Sequence, residues 1–231
     1  MRLHVPDRRP QVLVLCAHLH EDRAAKRDRD FLQANIGLHL GSLIDRGKYR
    51  VRLYQEMWHG PFRAAETDPK RFVLVFLSGL QMDFDRMRQL SFWFRRAGVP
   101  VVAGGSFTTL FPEYASQFFD AVCVGGVECV VQVMHDFEAG RLKTIYHSAQ
   151  HRISRYTIDH SLLWENGIRV PVHFVEASRG CNFKCDFCSI PAERARHATY
   201  HIDEIRTNIS DAIEKKPLVV GEASLSHGLV H

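Results

Sequence analysis

Five short apolar runs, each followed by an amphipathic stretch, constrain this chain more than any other feature. The runs are residues 12–16, 51–54, 72–77, 100–103 and 121–124, and several are continuously apolar. Strands buried on both faces read this way, which is the mark of a parallel sheet. The stretches between them carry helical stripes. Leu32, Ile36, Leu40, Leu43 and Ile44 form one, stopped by Gly47. Phe84, Met87, Leu90, Phe94 and Ala97 form another, with Asp83 placed to cap it and Gly98 to end it. Val127, Val130, Val131, Met134 and Phe137 form a third, ending at Gly140. Pro112 suits the start of a short helix that includes Tyr114 and Phe118. Strands alternating with helices predict an α/β fold, a doubly wound parallel sheet.

Such sheets bind ligands in the crevice beyond the carboxyl ends of their strands. Glycines fall at those ends: Ser78-Gly79-Leu80 after the third run, Gly104-Gly105 after the fourth, Gly125-Gly126 after the fifth. Glycine there lets a backbone approach a ligand closely, and it also simply ends strands in folds of this kind. Residues 144–168 are mixed, polar and rich in His and Arg, and read as a connector. A strand at 170–177 then leads into a cysteine cluster. A stripe of Ile202, Ile205, Ile209 and Ile213 follows, with Asp203 a plausible cap, and then a strand at 218–220. The chain thus divides into a domain at 1–148, a linker at 149–169 and the opening of a second βα series at 170–231.

Hydrophobic residues make up 45% and charged residues 24%, which excludes a disordered or fibrous chain. A net charge of +4 gives no indication of nucleic acid as a partner. The longest apolar run, 72–80, falls far short of the roughly 20 residues of a spanning helix, so no membrane segment is expected. The opening Met1-Arg2-Leu3-His4-Val5-Pro6 lacks a signal peptide's apolar core, which places the protein in the cytoplasm.

Six cysteines are unevenly spread. Cys16, Cys123 and Cys129 sit in apolar surroundings, as buried cysteines do. Cys181, Cys185 and Cys188 lie together, and in a reducing compartment such a trio reads as a metal or catalytic site. Three thiolates on one loop can hold an iron–sulfur cluster and leave one iron open to a ligand. The competing reading is a structural Cys3His zinc site with His197 or His201 as the fourth ligand, in a zinc-stabilised interaction protein.

Cys181-xxx-Cys185-x-Phe187-Cys188 at the end of a strand resembles the signature of radical S-adenosylmethionine enzymes. Residues 176–191, EASRGCNFKCDFCSIP, are especially similar to members with an N-terminal cobalamin-binding domain. VPVVAGGSFTTLFPE (99–113) and FDAVCVGGVE (119–128) extend the resemblance upstream. It implies that Cys181, Cys185 and Cys188 hold three irons of a [4Fe–4S] cluster. The fourth iron would chelate S-adenosylmethionine, with Phe187 near the adenine. An external one-electron donor would drive cleavage to a 5′-deoxyadenosyl radical acting on a small-molecule substrate. Ser78, Leu80, Gly104 and Gly105 match the SxL and GG elements of cobalamin-binding folds, and Gly125 and Gly126 complete that cofactor edge. A cobalamin there would make the enzyme a methyltransferase to an unactivated carbon or phosphorus centre, or a related radical enzyme. The alternative is a cobalamin- or nucleotide-binding module without catalysis. The cobalt-ligating DxHxxG is replaced by His18-Leu19-His20-Glu21-Asp22-Arg23; only His20 matches, and a surface or pocket role suits it better.

A full (β/α)₈ barrel takes about 250 residues, so the smaller barrel of this family needs on the order of 180. Only 62 residues run from Val170 to the end. The expectation is therefore one complete domain and a truncated second, with doubtful turnover from this chain alone. Gly221-Glu222 resembles the family's GGE element too briefly to add to the argument.

Overall fold

The computed structural model describes residues 7–18, 35–148, 156–169, 172–183, 185, 186, 188, 197–214 and 219–222. Leu32, His20 and Phe187 lie outside the described residues. The first domain runs β1 (Gln11–Cys16), α1 (Asn35–Ser42), β2 (Arg50–Gln55), α2 (Glu56–His59), β3 (Phe72–Gly79), α3 (Phe84–Arg96), β4 (Val101–Gly105), α4 (Ser106–Leu110), α5 (Pro112–Ala115), β5 (Ala121–Val124), α6 (Cys129–Glu138) and β6 (Ile145–His147). All six strands are parallel, in the order β2-β1-β3-β4-β5-β6. The fold is a doubly wound α/β sheet, as the alternation of apolar runs predicted.

The continuous apolarity of the runs has a direct cause. Alternate residues of each strand feed two cores, one on each face. Val12, Val14, Leu74 and Phe76 pack with α1 and α6 on one side. Leu13, Leu15, Val75 and Leu77 pack with Met87, Leu90 and Phe94 of α3 on the other. Cys16, Cys123 and Cys129 are buried free thiols, as their surroundings suggested. Burial pushes the Cys16 thiol up to about 12.

Residues 144–168 are no mere connector. β6 adds a sixth strand beside β5, with Val122 opposite Ile145. Its three residues hold one buried side chain, Tyr146, too little for an apolar run to register. Beyond it, α7 (Ser161–Glu165) buries Leu162 and Leu163 in the α1 core together with Ile158 and Ile168. Asn166 accepts the Leu53 amide at 3.0 Å, satisfying a donor on edge strand β2 that the sheet leaves unpaired.

The second region opens with β7 (Val172–Val175), β8 (Ser178–Arg179) and β9 (Ala198–Thr199), then α8 (Ile202–Glu214) and β10 (Val219–Glu222). β7 and β10 pair in parallel, so β7–α8–β10 is a βαβ unit, the opening of the second βα series. Asn208 and Asp211 of α8 bind back to Ile158 N at 3.1 Å and His160 Nδ1 at 2.8 Å. Among the described residues, no helix is long and apolar enough to cross a membrane.

Candidate cofactor crevice and cysteine loop

The winding of the strand order reverses between β1 and β3, so the crevice at their carboxyl ends is where a ligand of this fold sits. The sheet register sets Ser78 beside Gly104 and Gly79 beside Gly105. Ser78 is buried, and its carbonyl accepts the Ala17 amide at 2.7 Å. Leu80 is exposed, and its amide donates to Asp83 at 2.9 Å. Asp83 thus holds the loop after β3, while its side chain makes no cap bond to α3.

The glycines at this end are not equivalent. Gly105 has φ +122, and a Cβ there would lie 2.4 Å from the Gly79 carbonyl oxygen, so the contact between the β3 and β4 ends requires it. Gly104 has room, since its nearest neighbour would be Cys123 Cβ at 3.8 Å. Gly125 is exposed with φ +89, and its amide donates to Thr109 Oγ1 at 3.1 Å. The Gly126 amide donates to Ser148 Oγ at 2.5 Å.

The switch point also holds polar residues that the sequence reading passed over. Glu56, buried at the end of β2, accepts from His18 N at 2.8 Å, Phe62 N at 2.8 Å and Arg86 Nη2 at 2.6 Å. The His18 imidazole is nearly buried, with Nδ1 3.8 Å from Asp83 Oδ1. Its Nε2 is buried without a hydrogen-bond partner among the described residues. Its place two residues beyond β1 is the signal in the sequence, whereas the cobalt-ligand pattern matches only His20, which lies outside the described residues.

The cysteines sit on a loop closed at its base by a ribbon. β8 and β9 pair antiparallel, Ser178 opposite Thr199 and Arg179 opposite Ala198, and Tyr200 N donates to Ala177 O at 3.0 Å. Gly180, at φ +82, turns the chain out of the ribbon. Cys188 N donates to Cys185 O at 3.1 Å, and Phe183 N donates to Cys181 Sγ at 3.4 Å. Cys181 and Cys188 are half-buried, Cys185 is exposed, and all three are free thiols. Among the described residues, no group of three or more His, Cys, Asp or Glu is gathered as a metal site. The donor set itself fits a cluster: soft sulfur ligands, unbonded, on one turned loop. The fourth-ligand candidates for zinc gain nothing here. His197 is exposed, and the His201 imidazole sits at its own helix start, Nδ1 3.3 Å from Asp203 Oδ2.

One side chain joins loop and sheet. Arg179, two residues before Cys181, donates through Nη1 to Glu128 Oε1 at 2.7 Å. Glu128 immediately precedes α6 and follows Gly125-Gly126. Arg179 also grips Glu176 with two bonds of 2.8 and 2.9 Å and reaches Tyr200 Oη at 3.1 Å. Tyr200 in turn donates to Glu176 at 2.5 Å. Burial works against the Arg179 charge, but the hydrogen bonds and charges of Glu176 and Glu128 outweigh it and raise its pKa. Burial raises the Tyr200 phenol, with Tyr156 and Glu176 adding to it, so the phenol remains a donor. A Cβ on Gly126 would lie 2.8 Å from Arg179 Nη1 and 2.1 Å from Glu128 Oε2, so this glycine makes room for the pair.

No family model matches the chain, and no curated protein matches it. Among solved structures it is similar to the radical S-adenosylmethionine methyltransferase TsrM from Kitasatospora setae, bound to tryptophan substrate and a SAM analogue. The TM-score is 0.56 at 13% identity, over 93% of this chain and 48% of that one. It is also similar to OxsB, a cobalamin-dependent S-adenosylmethionine radical enzyme with aqua-cobalamin bound. There the TM-score is 0.59 at 12% identity, over 93% of this chain and 34% of that one. At such identities the likeness is one of fold. The chain spans half or less of the length of either neighbour.

Proposed function

We propose that this chain is the cofactor-binding part of a cobalamin-dependent radical S-adenosylmethionine enzyme, a methyltransferase or related radical enzyme. The observation that carries the reading is the tie of Arg179 to Glu128. It fixes the three-cysteine loop to the carboxyl end of a parallel sheet, the end where this fold takes ligands. Fold similarity to two proteins of that chemistry supports it. A bound cluster would supply single electrons to the sulfonium of S-adenosylmethionine, and the protein's part is to bind, orient and exclude side reactions.

Cys181, Cys185 and Cys188 would be the cluster ligands, and Phe187 would lie beside the adenine. Ser78, Leu80, Gly104, Gly105, Gly125 and Gly126 would form the cobalamin edge. Ser78 is buried between strands, so its contribution is the shape of the β3 end. Leu80 offers an exposed apolar side chain and Gly104 an open backbone surface. The substrate would be a small molecule, an external protein or reductant would donate the electron, and a cytoplasmic location would keep the thiols reduced.

Anaerobic reconstitution with iron and sulfide tests the cluster assignment. The expected product is brown, with about four irons and four sulfides per chain, and Cys185→Ala loses them. One zinc and no iron, or a full cluster in Cys185→Ala, overturns it. Equilibrium dialysis with hydroxocobalamin tests the crevice separately. A cluster without cobalamin binding would remove the cobalamin half of the proposal, and the reverse would leave a binding module without catalysis.

A further inference from the structure

At the end of the sheet opposite the cysteine loop, the amino ends of β1, β2 and β3 and the segment before β3 border a partly open cavity of about 270 Å³. Sheet geometry explains what enters it. Gln11 pairs with both Arg50 and Phe72, so these three stand side by side where the strands begin. Arg50 and Arg52 are two residues apart on β2 and share a face. Arg71 comes from the adjoining segment, its guanidinium 5.7 Å from the Phe72 ring centroid. All three arginines line the cavity, no carboxylate does, and aromatic Tyr54 and Phe72 form part of the wall.

The lining thus gathers three cations and no anion. Nearby arginines have partners: Arg9 has Asp7, Arg46 has Asp159, Arg63 has Glu66 and Arg86 has Glu56. Among the described residues Arg52 and Arg71 form no ion pair, and Arg50 reaches the Asp7 carboxylate only at longer range. Burial first, and then the charges of Arg71 and Arg50, pull the Arg52 pKa below its usual value. A charged edge strand does discourage sheet-to-sheet aggregation. That explains an outward Arg50, but not a half-buried Arg52 or an Arg71 that lies off the strand. Like charges held together around a cavity are stabilised by an anion that answers them. Guanidinium forks match the oxygens of a phosphoryl group, which they bind in pairs.

We propose that this cavity is a second ligand site, for a small phosphoryl-bearing anion gripped by Arg50, Arg52 and Arg71 with its organic part against Tyr54 and Phe72. It depends on neither the cluster nor cobalamin. Calorimetric titration of the full chain at low ionic strength, with phenyl phosphate and with inorganic phosphate, tests it. Both should bind saturably at one site, phenyl phosphate more tightly because of the aromatic wall. Arg52→Gln and Arg71→Gln should each weaken phenyl phosphate by about tenfold or more, the factor expected for one charge-assisted hydrogen bond. Arg95→Gln, which removes an equal charge from the pair with Asp120 outside the cavity lining, should leave it unchanged. Should Arg52→Gln fail to fold, exposed Arg71 carries the test. Absence of saturable binding, or equal loss in Arg95→Gln, overturns the proposal. Tighter binding of a single-stranded oligonucleotide than of phenyl phosphate overturns it in favour of a polyanion surface.

Discussion

Replacing Arg179 by alanine should cost the fold far more than a surface arginine would. In the native protein Glu176 is 2% exposed and Glu128 is 11% exposed, and Arg179, itself 21% exposed, is the cation between them. Alanine leaves the buried Glu176 and the half-buried Glu128 without the cation that joins them. Removing one partner from a buried pair costs about 3–5 kcal/mol, and the partial exposure of the guanidinium places this case near the lower figure, about 3. Glu128→Ala breaks only the bond between loop and sheet and should cost about 1–2 kcal/mol. The double variant should cost less than the sum, because one contact is removed in both single variants. Urea unfolding of the four proteins gives the cycle, and the rate of thiol labelling in the native state reports release of the cysteine loop. A cost below about 1 kcal/mol for Arg179→Ala, or additivity within about 0.3 kcal/mol, would mean the network is a solvated surface cluster. The central support for the proposed function would then be gone.

Gly105→Ala should destabilise strongly and split the β3 and β4 ends, because its Cβ meets backbone at 2.4 Å, whereas Gly104→Ala should be tolerated; equal melting shifts in the two variants would contradict this. Burial holds the His39 imidazole down at about 4. The unfolded chain takes up that proton below about 6.5 and the native protein does not, so stability should be full above pH 6.5 and fall by roughly 3 kcal/mol towards pH 4. His39→Gln should flatten that slope in urea titrations across the interval, and an unchanged slope would refute the assignment. Leu162→Ala should cost about 2–5 kcal/mol by opening a cavity in the α1 core. A loss under about 1 kcal/mol would show that α7 is a dispensable appendage.

The sheet was legible because each central strand is buried on two faces, which writes an unbroken apolar run that no other element needs. β6 was not, since an edge strand of three residues buries only Tyr146. α7 was missed for a related reason. Its anchoring depends on distant partners, Leu53 N for Asn166 and Arg46 for Asp159 and Glu165, and five residues carry too little periodicity to stand out. The cysteine loop was legible through spacing alone. Its attachment was not, because Arg179 and Glu128 are separated by 51 positions and each looks like an ordinary surface charge.

The glycine pairs show most clearly what the sequence withholds. Gly104-Gly105 and Gly125-Gly126 are the same dipeptide at the same end of neighbouring strands, and sequence offers one reason for all four. The structure divides them by what a Cβ would meet. Gly105 answers to the Gly79 backbone, so the fold already requires it, whereas a Cβ on Gly126 would press only on the ends of the Arg179 and Glu128 side chains, which can shift. Among the described residues Gly104 meets nothing closer than 3.8 Å, and their packing does not explain the absence of a side chain there. Under the proposed function a ligand lying on that backbone supplies the missing neighbour. It follows that Gly104 separates a cofactor crevice from a mere strand end: a substitution there should spare the fold and still weaken cobalamin, while one at Gly105 cannot distinguish the two.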